Sequence, residues 1–447
     1  MIIVVNKIFK DEAMSDYVIS VSDTGMPGGV VELTQALPAI STIKTGDTVK
    51  MRFLPNAFVF LTGLVLLASW RKSLPAGVTA TVLDEGCTTA VKNLLTNSGF
   101  REVIETGHET PSAQRRFGKL PLRPLTNRFN KEATVQEVTT ILEEYATTIA
   151  DLTPFQTILS EVCENALTHS QFASPGYVSA RILEQERTRK MEIAVCDSGI
   201  GFRGSYQVGT NQEVIERIKK GANPIDIAID GLQSSKPTRV PGSAISYFGF
   251  GLYITRRLIE ENRGMLTIIS GTDALQIDHF QRRQITLKKA FPGTYIGIVL
   301  DLDNPMPLED IYEQATEMYV GPSVQYAAGN QDKTPINSPL NPKAVADSDV
   351  AGTTVIELRH FGTELLTREM GLAVRADLAT RLLRFEKVIV DLDGVADLTP
   401  SVADEAFGKL AEGLGHDVFS VAVEFRGGSN LINRLIDFVI KTRLKGQ

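Results

Sequence analysis

At 447 residues, with 43% hydrophobic and 22% charged residues, the chain is of ordinary globular composition but too long for one core. Two to three domains are therefore expected, and a disordered or fibrous polymer is excluded. A formal net charge of −7 argues against general nucleic-acid binding, although a local basic patch survives inside such a total. Cys87, Cys163 and Cys196 have no CxxC spacing and read as small buried residues of a reduced, cytoplasmic protein, not as a disulfide frame or zinc site.

The opening MIIVV is apolar for five residues before charge begins, so no signal peptide is expected. In residues 22–107, VVEL and TVKMRFL read as strands, 56–71 as a helix, VTATVLDE as a strand, and TTAVKNLLTNSGF as a helix stopping near Gly99. The stretch 53–70, FLPNAFVFLTGLVLLASW, approaches the ~17–25 residues of a membrane span. Pro55, Asn56 and Thr62 interrupt it and a strand follows, so a buried core helix is expected and no membrane partner. Residues 1–107 are read as an N-terminal α/β domain without assigned chemistry, and the polar, basic 108–130 as a linker. Pro111 and Gly118 break any long helix around His108, which reads as a linker histidine.

A second domain opens with the helix VQEVTTILEEYATTIA, 135–150. In LSEVCENALTHS, 159–170, apolar Ile158, Leu159, Val162, Ala166 and Leu167 mark an amphipathic helix. Glu161, Asn165 and His169 stand at i, i+4 and i+8, a drifting stripe beside the apolar one. A carboxylate, an amide and an imidazole so aligned suit a hydrated magnesium ion with its phosphates. The apolar strand Met191–Cys196 then runs into DSGIG, 197–201. Asp197 at a strand end can accept from an exocyclic amine, while Gly199 and Gly201 let the backbone turn tightly and approach a flat ligand. FGFGL, 248–252, sets Gly249 and Gly251 just before a helix, where free N–H groups favour phosphate.

With these three motifs in this order, residues 130–303 resemble the GHKL superfamily, the ATP-binding fold shared by gyrase, the large heat-shock chaperone, mismatch-repair ATPases and histidine kinases. LSEVCENALTHS matches its N box, DSGIG its first glycine box and FGFGL its second, and GTYIGIVL at 293–300 its last strand. The resemblance implies that Asn165 ligates magnesium, with His169 as a nucleotide contact, and that Asp197, with Gly199 and Gly201, binds adenine. It further implies that Gly249 and Gly251, with Leu252, approach the phosphates, and that Glu161 holds or activates the nucleophile. Residues 202–248, between the glycine boxes, fit a mobile lid, from which Lys236 or Arg239 would meet the γ-phosphate.

Beyond Asp303, LEDIYEQATEMYV reads as a helix, and the Pro-, Gly-, Asn- and Ser-rich 321–350 as a linker. From 353, strand TTVIELRHF, a helix at 365–383, strand EKVIVDLDGV, helix SVADEAFGKLAEGLG, strand VFSVAVEF and helix NLINRLIDFVIKTRL alternate. KVIVDLDGVADLTPSVADEAFGKL resembles the STAS fold of anti-sigma-factor antagonists, and a STAS-like domain of unknown function. In place of that family's phosphoacceptor turn stand Thr399 and Ser401, without its Asp-Ser-Ser-Gly pattern, and capping of the following helix is the favoured reading.

The expected architecture is an α/β and α+β multidomain chain. A GHKL domain of the Bergerat α/β sandwich type at 131–303 is flanked by STAS-like α/β domains at 1–107 and 353–447, with 304–352 as helix and linker. The expected function is a cytoplasmic regulator that binds Mg-ATP and hydrolyses it, or passes the γ-phosphate to a Ser or Thr of a protein partner. The alternative is a nucleotide-gated interaction module with negligible turnover. A homodimer is compatible with either, and a conventional histidine kinase is not expected.

Overall fold

The computed structural model describes residues 5–11, 14–26, 28–107, 118–145, 152–169, 176–185, 188–209, 211–230, 250–308, 310–311, 314, 352–365 and 368–444. It is mixed α/β with several sheets. The chain divides into two compact units, Met1–Pro237 with Phe248–Leu308, and Thr238–Tyr247 with Glu309–Gln447.

The first unit holds two sheets. Strands β1 (Val5–Asp11), β2 (Met14–Asp23), β3 (Thr48–Phe58) and β4 (Thr79–Leu83) lie in that order. The β1–β2 pair is antiparallel and the other two pairs parallel. Parallel neighbours require crossovers, supplied by α1 (Gly28–Ala36) and α2 (Leu61–Lys72), and α3 (Thr89–Asn97) and α4 (Phe100–Thr106) follow β4. VVEL, expected as a strand, therefore lies inside α1. Val30, Val31, Leu33 and Thr34 are buried at helical spacing, and that packing overrides the strand preference of two adjacent valines.

The second sheet is antiparallel in the order β5 (Lys119–Leu125), β6 (Gly176–Gln185), β7 (Thr188–Asp197), β9 (Arg282–Asp301), β8 (Met265–Ile277). Its helices are α5 (Arg128–Tyr145), α6 (Thr153–His169), α7 (Gly201–Val208), α8 (Gln212–Lys219), α9 (Pro224–Asp230) and α10 (Phe250–Glu261). Side chains alternate between the faces of a strand, and the pairing sorts them. Tyr177, Ala194, Cys196, Ile269 and Tyr295 are aligned across the ladder and share one core with α2 and the first sheet. Their alternates Val178, Ile193, Val195, Ile268 and Ile296 are buried on the other face, where α5, α6 and α10 pack.

Helix α2 explains the junction. All ten residues Leu61–Trp70 are buried, and a helix apolar around its circumference must be enclosed. It lies across β6 and β7 with α1 and α4 beside it. Each leucine so buried contributes about 1.5–3 kcal/mol. The expected core helix thus forms, and among the described residues no helix is long and apolar enough to cross a membrane. Gly297 on β9 has no side chain where the Met26 sulfur sits, so the β2–α1 loop also seats on this sheet. A buried Arg181–Glu192 pair (2.6 Å) joins β6 and β7, and the Arg181 guanidinium stacks on Phe60 at 4.5 Å.

In the second unit, β10 (Thr353–Glu357), β11 (Glu364–Leu365), β12 (Lys387–Asp391), β13 (Asp397–Leu398) and β14 (Val423–Arg426) form two parallel sets, β10–β12–β14 and β11–β13. The helices are α11 (Arg368–Leu382), α12 (Pro400–Ala403), a π-helical turn Asp404–Gly408, α13 (Lys409–Leu414), α14 (His416–Ala422) and α15 (Asn430–Leu444). VFSVAVEF, expected as one strand, is divided: it is helical to Ala422 and extended only from Val423. Only Phe419 of the helical part is buried, so one anchor, not an alternating face, sets its conformation. The Arg443 side chain is fully buried and pairs through Nε and Nη2 with Asp404, both at 2.7 Å, and through Nη1 with Glu412 at 2.6 Å. The helix expected at 308–320 falls largely, and the linker at 321–350 wholly, outside the described residues.

Candidate functional site

The stretch LSEVCENALTHS lies in α6, with Phe155, Ile158, Leu159, Val162 and Cys163 buried beneath it and Glu161 and Asn165 at its margin. Burial pushes the Cys163 thiol up to about 12, so it is an inert packing group. α6 packs on α10, and the contact is specific: a Cβ built on Gly251 would overlap the Glu161 carboxylate. Glu161 and Gly251, 90 positions apart in sequence, thus meet, and a larger residue at 251 would make the carboxylate turn aside. One turn along α6, the buried amide nitrogen of Asn165 has no hydrogen-bond partner among the described residues. Leu252 is buried as part of the α10 core face. His169 ends α6, its side chain outside the description, and Lys236, Arg239, Gly249 and His108 likewise lie outside the described residues.

The DSGIG turn closes the C-terminal end of β7. Asp197 is 7% exposed, and its Oδ1 accepts from the backbone N–H of Gly199 (2.7 Å) and of Thr294 (3.2 Å). Burial raises its carboxyl from 3.8 to about 7 against the opposite pull of those N–H groups. Gly201 has φ 66°, and a Cβ there would lie 2.6 Å from Ser270 Oγ. That hydroxyl accepts from Phe202 N–H (2.9 Å) and donates to the Gly293 carbonyl (3.3 Å). Gly293, at φ 95°, presses on the Asp197 carbonyl, where a side chain would overlap. Sequence reasoning missed Ser270, Gly293 and Thr294. The Pro-Gly-Thr at 292–294 interrupts an otherwise strand-like run and is the only local signal of them.

The segment between the glycine boxes is more built than a lid. α8 buries Val214 and Ile218, and α9 buries Pro224, Ile225, Ile227, Ala228 and Ile229. Asp226 and Asp230 pair with Arg282 on β9, and Asp230 also with Arg256 on α10 at 3.5 Å. Residues 201–209 and 211–230 are therefore part of the fold, a correction to the reading of 202–248 as one mobile stretch. Residues 231–249 fall outside the described residues.

In the second unit, Thr399 is buried and its Oγ1 accepts from Val402 N–H (3.4 Å), the geometry of a helix N-cap. Asp404 and Glu405 in the turn that follows are themselves buried against cations: Asp404 on Arg443, Glu405 on Arg375 (2.7 Å) and Lys409. The Ser401 side chain lies outside the description. Among the described residues no cluster of three or more His, Cys, Asp or Glu is placed to hold a metal.

The family model of a STAS-like domain of unknown function (DUF4325) matches residues 371–432, running from within α11 to the start of α15. No curated protein matches the chain.

Proposed function

We propose that the first unit binds Mg-ATP on the α6–α10 side of its five-stranded sheet, in the manner of the GHKL superfamily. On this reading the nucleotide either is hydrolysed or gives its γ-phosphate to a Ser or Thr of a protein partner. The observation that supports the reading is the meeting of Glu161 with Gly251, which sets the LSEVCENALTHS helix against the start of α10.

The side chains fit the group. Asp197 would accept from the adenine amine, with the Gly199 and Thr294 N–H groups fixing its carboxylate. Asn165 would ligate magnesium through its amide oxygen, with His169 beside it. The Asn165 Nδ2, without a partner among the described residues, is left to donate to a group from outside, such as a phosphate oxygen. Gly249 and Gly251, at the start of α10, would admit the phosphates closely, with Lys236 as a cation near them. Bound magnesium would offset phosphate charge. Glu161 would accept the proton of the attacking hydroxyl or water.

Purified protein incubated with γ-labelled ATP should release labelled phosphate or transfer label to a protein. Binding without either product would favour the alternative, a nucleotide-gated interaction module. The STAS-like domain is proposed to respond to the nucleotide state, so removal of residues 345–447 should change ATP affinity or turnover. Localisation to the cytoplasm belongs to the same reading.

A further inference from the structure

We infer that Ser69 is a positioning residue for the Asp197 turn, so that the N-terminal part of the first unit sets the geometry of a site on the opposite face of the sheet. Ser69 is fully buried in the last turn of α2. Its Oγ donates to the Cys196 carbonyl (2.8 Å), and its own carbonyl accepts from Ser198 Oγ (2.7 Å). Carbonyls in the last turn of a helix lack an intrahelical partner, and Ser198 supplies one. Cys196 and Ser198 are the two chain neighbours of Asp197, so one residue of α2 holds both flanks of that carboxylate.

The surroundings are cut to fit this clamp. Gly176, opposite Asp197 on β6, is the one residue type that spares the Cys196 carbonyl, because a Cβ there would overlap it. The Cys196 side chain lies in the α2 core, while alternation turns Asp197 to the other face. A displacement of α2 therefore acts on the peptide groups either side of Asp197, and through them on its bonds from Gly199 and Thr294. Packing by the leucines and Val65 of α2 needs no serine at this position, and a buried hydroxyl is favourable where its bonds are made.

The consequence for nucleotide affinity rests on the adenine reading of Asp197, but the clamp itself does not. In full-length protein without nucleotide, amide exchange at Gly199 and Thr294 reports the opening of the turn directly. Ser69→Ala and Ser198→Ala should each raise it about fivefold to tenfold, the range that one neutral hydrogen bond commands. Ser98→Ala, equally buried in the same region but bonded to Leu95 and Phe100, should leave those two amides unchanged. Calorimetry should show ATP affinity falling by a similar factor in the two clamp variants. Unchanged exchange in both, or an equal rise in Ser98→Ala, overturns the inference. Should Ser69→Ala fail to fold, Ser198→Ala decides alone. If exchange responds as expected while the wild type binds no ATP, the clamp stands and the nucleotide reading falls.

Discussion

On the α2 side of the five-stranded sheet, contacts are mainly apolar, with Tyr177, Ala194, Cys196, Ile269 and Tyr295 packed into the core of the four-stranded sheet beside the Arg181–Glu192 pair. On the α6–α10 side the same strands bury Val195, Ile193 and Ile296, but at their margin stand an acid, an amide nitrogen unpartnered among the described residues and a carboxyl raised to about 7. Buried polar atoms without a partner among the described residues occur on both faces, Ser179 Oγ, Arg181 Nη2 and Thr267 Oγ1 on the α2 side and Asn165 Nδ2 on the other, so the faces differ in their charges instead. Arg181 and Glu192 neutralise each other on the α2 side, whereas the Asp197 carboxyl is held by backbone N–H groups, and buried carboxyls so raised gather at functional sites. On the proposed reading the α6–α10 face carries the chemistry and the α2 face the stability, joined by Ser69.

Substitutions on the two faces should fail differently. The largest effect is expected for Glu161→Ala, which should lower turnover of γ-labelled ATP by roughly 10²–10⁴-fold while melting temperature and ATP affinity stay near wild type. Turnover equal to wild type would remove the general-base role. Next comes Leu66→Ala on α2, fully buried, which should cost about 2–5 kcal/mol in urea denaturation. A loss well under that range would mean that α2 does not bind the two sheets together.

Asp197→Asn should weaken ATP binding by about 10- to 100-fold, the worth of a hydrogen bond to a charged group, with no loss of fold. It also carries a pH signature. The folded carboxyl titrates at about 7 instead of 3.8, so its stabilising contribution is complete below about 3.8 and disappears as pH rises through 7. Asparagine does not titrate, so denaturation of the variant should be flatter across that window. Nucleotide affinity in the wild type should run the other way, rising through pH 7 as the stronger acceptor forms. A pH-independent affinity would separate Asp197 from adenine. The smallest effect is expected for Ser270→Ala, about 0.5–1.5 kcal/mol of stability, because it removes one support under the Gly201 turn.

The elements of the proposed site were legible as elements because they are local: the α6 helix and the strand into DSGIG are each contiguous runs. The closing of that turn by Ser270, Gly293 and Thr294 was not, since tight packing of one backbone on another leaves no pattern in either segment alone. The apolar face was half legible. A buried helix was foreseen at 56–71, although β3 runs on to Phe58 and the helix begins at Leu61; its partner was not foreseen, because alternating apolar strands look alike whether they face a helix of their own domain or one from upstream. VVEL and VFSVAVEF failed for a simpler reason. Short runs of valine and phenylalanine carry no period long enough to separate helix from strand, and tertiary burial decided both.

The complete enclosure of α2 also has a consequence for synthesis. Its partners β6 and β7 emerge roughly a hundred residues later, and at about 5–20 residues per second a ribosome takes on the order of 5–20 s to supply them. For that interval a predominantly apolar helix has only the four-stranded sheet and its neighbours α1 and α4 to rest on. Nascent chains are therefore expected to recruit chaperones between these two points, and a fragment ending at residue 107 should aggregate when expressed alone, although every element within it is intact.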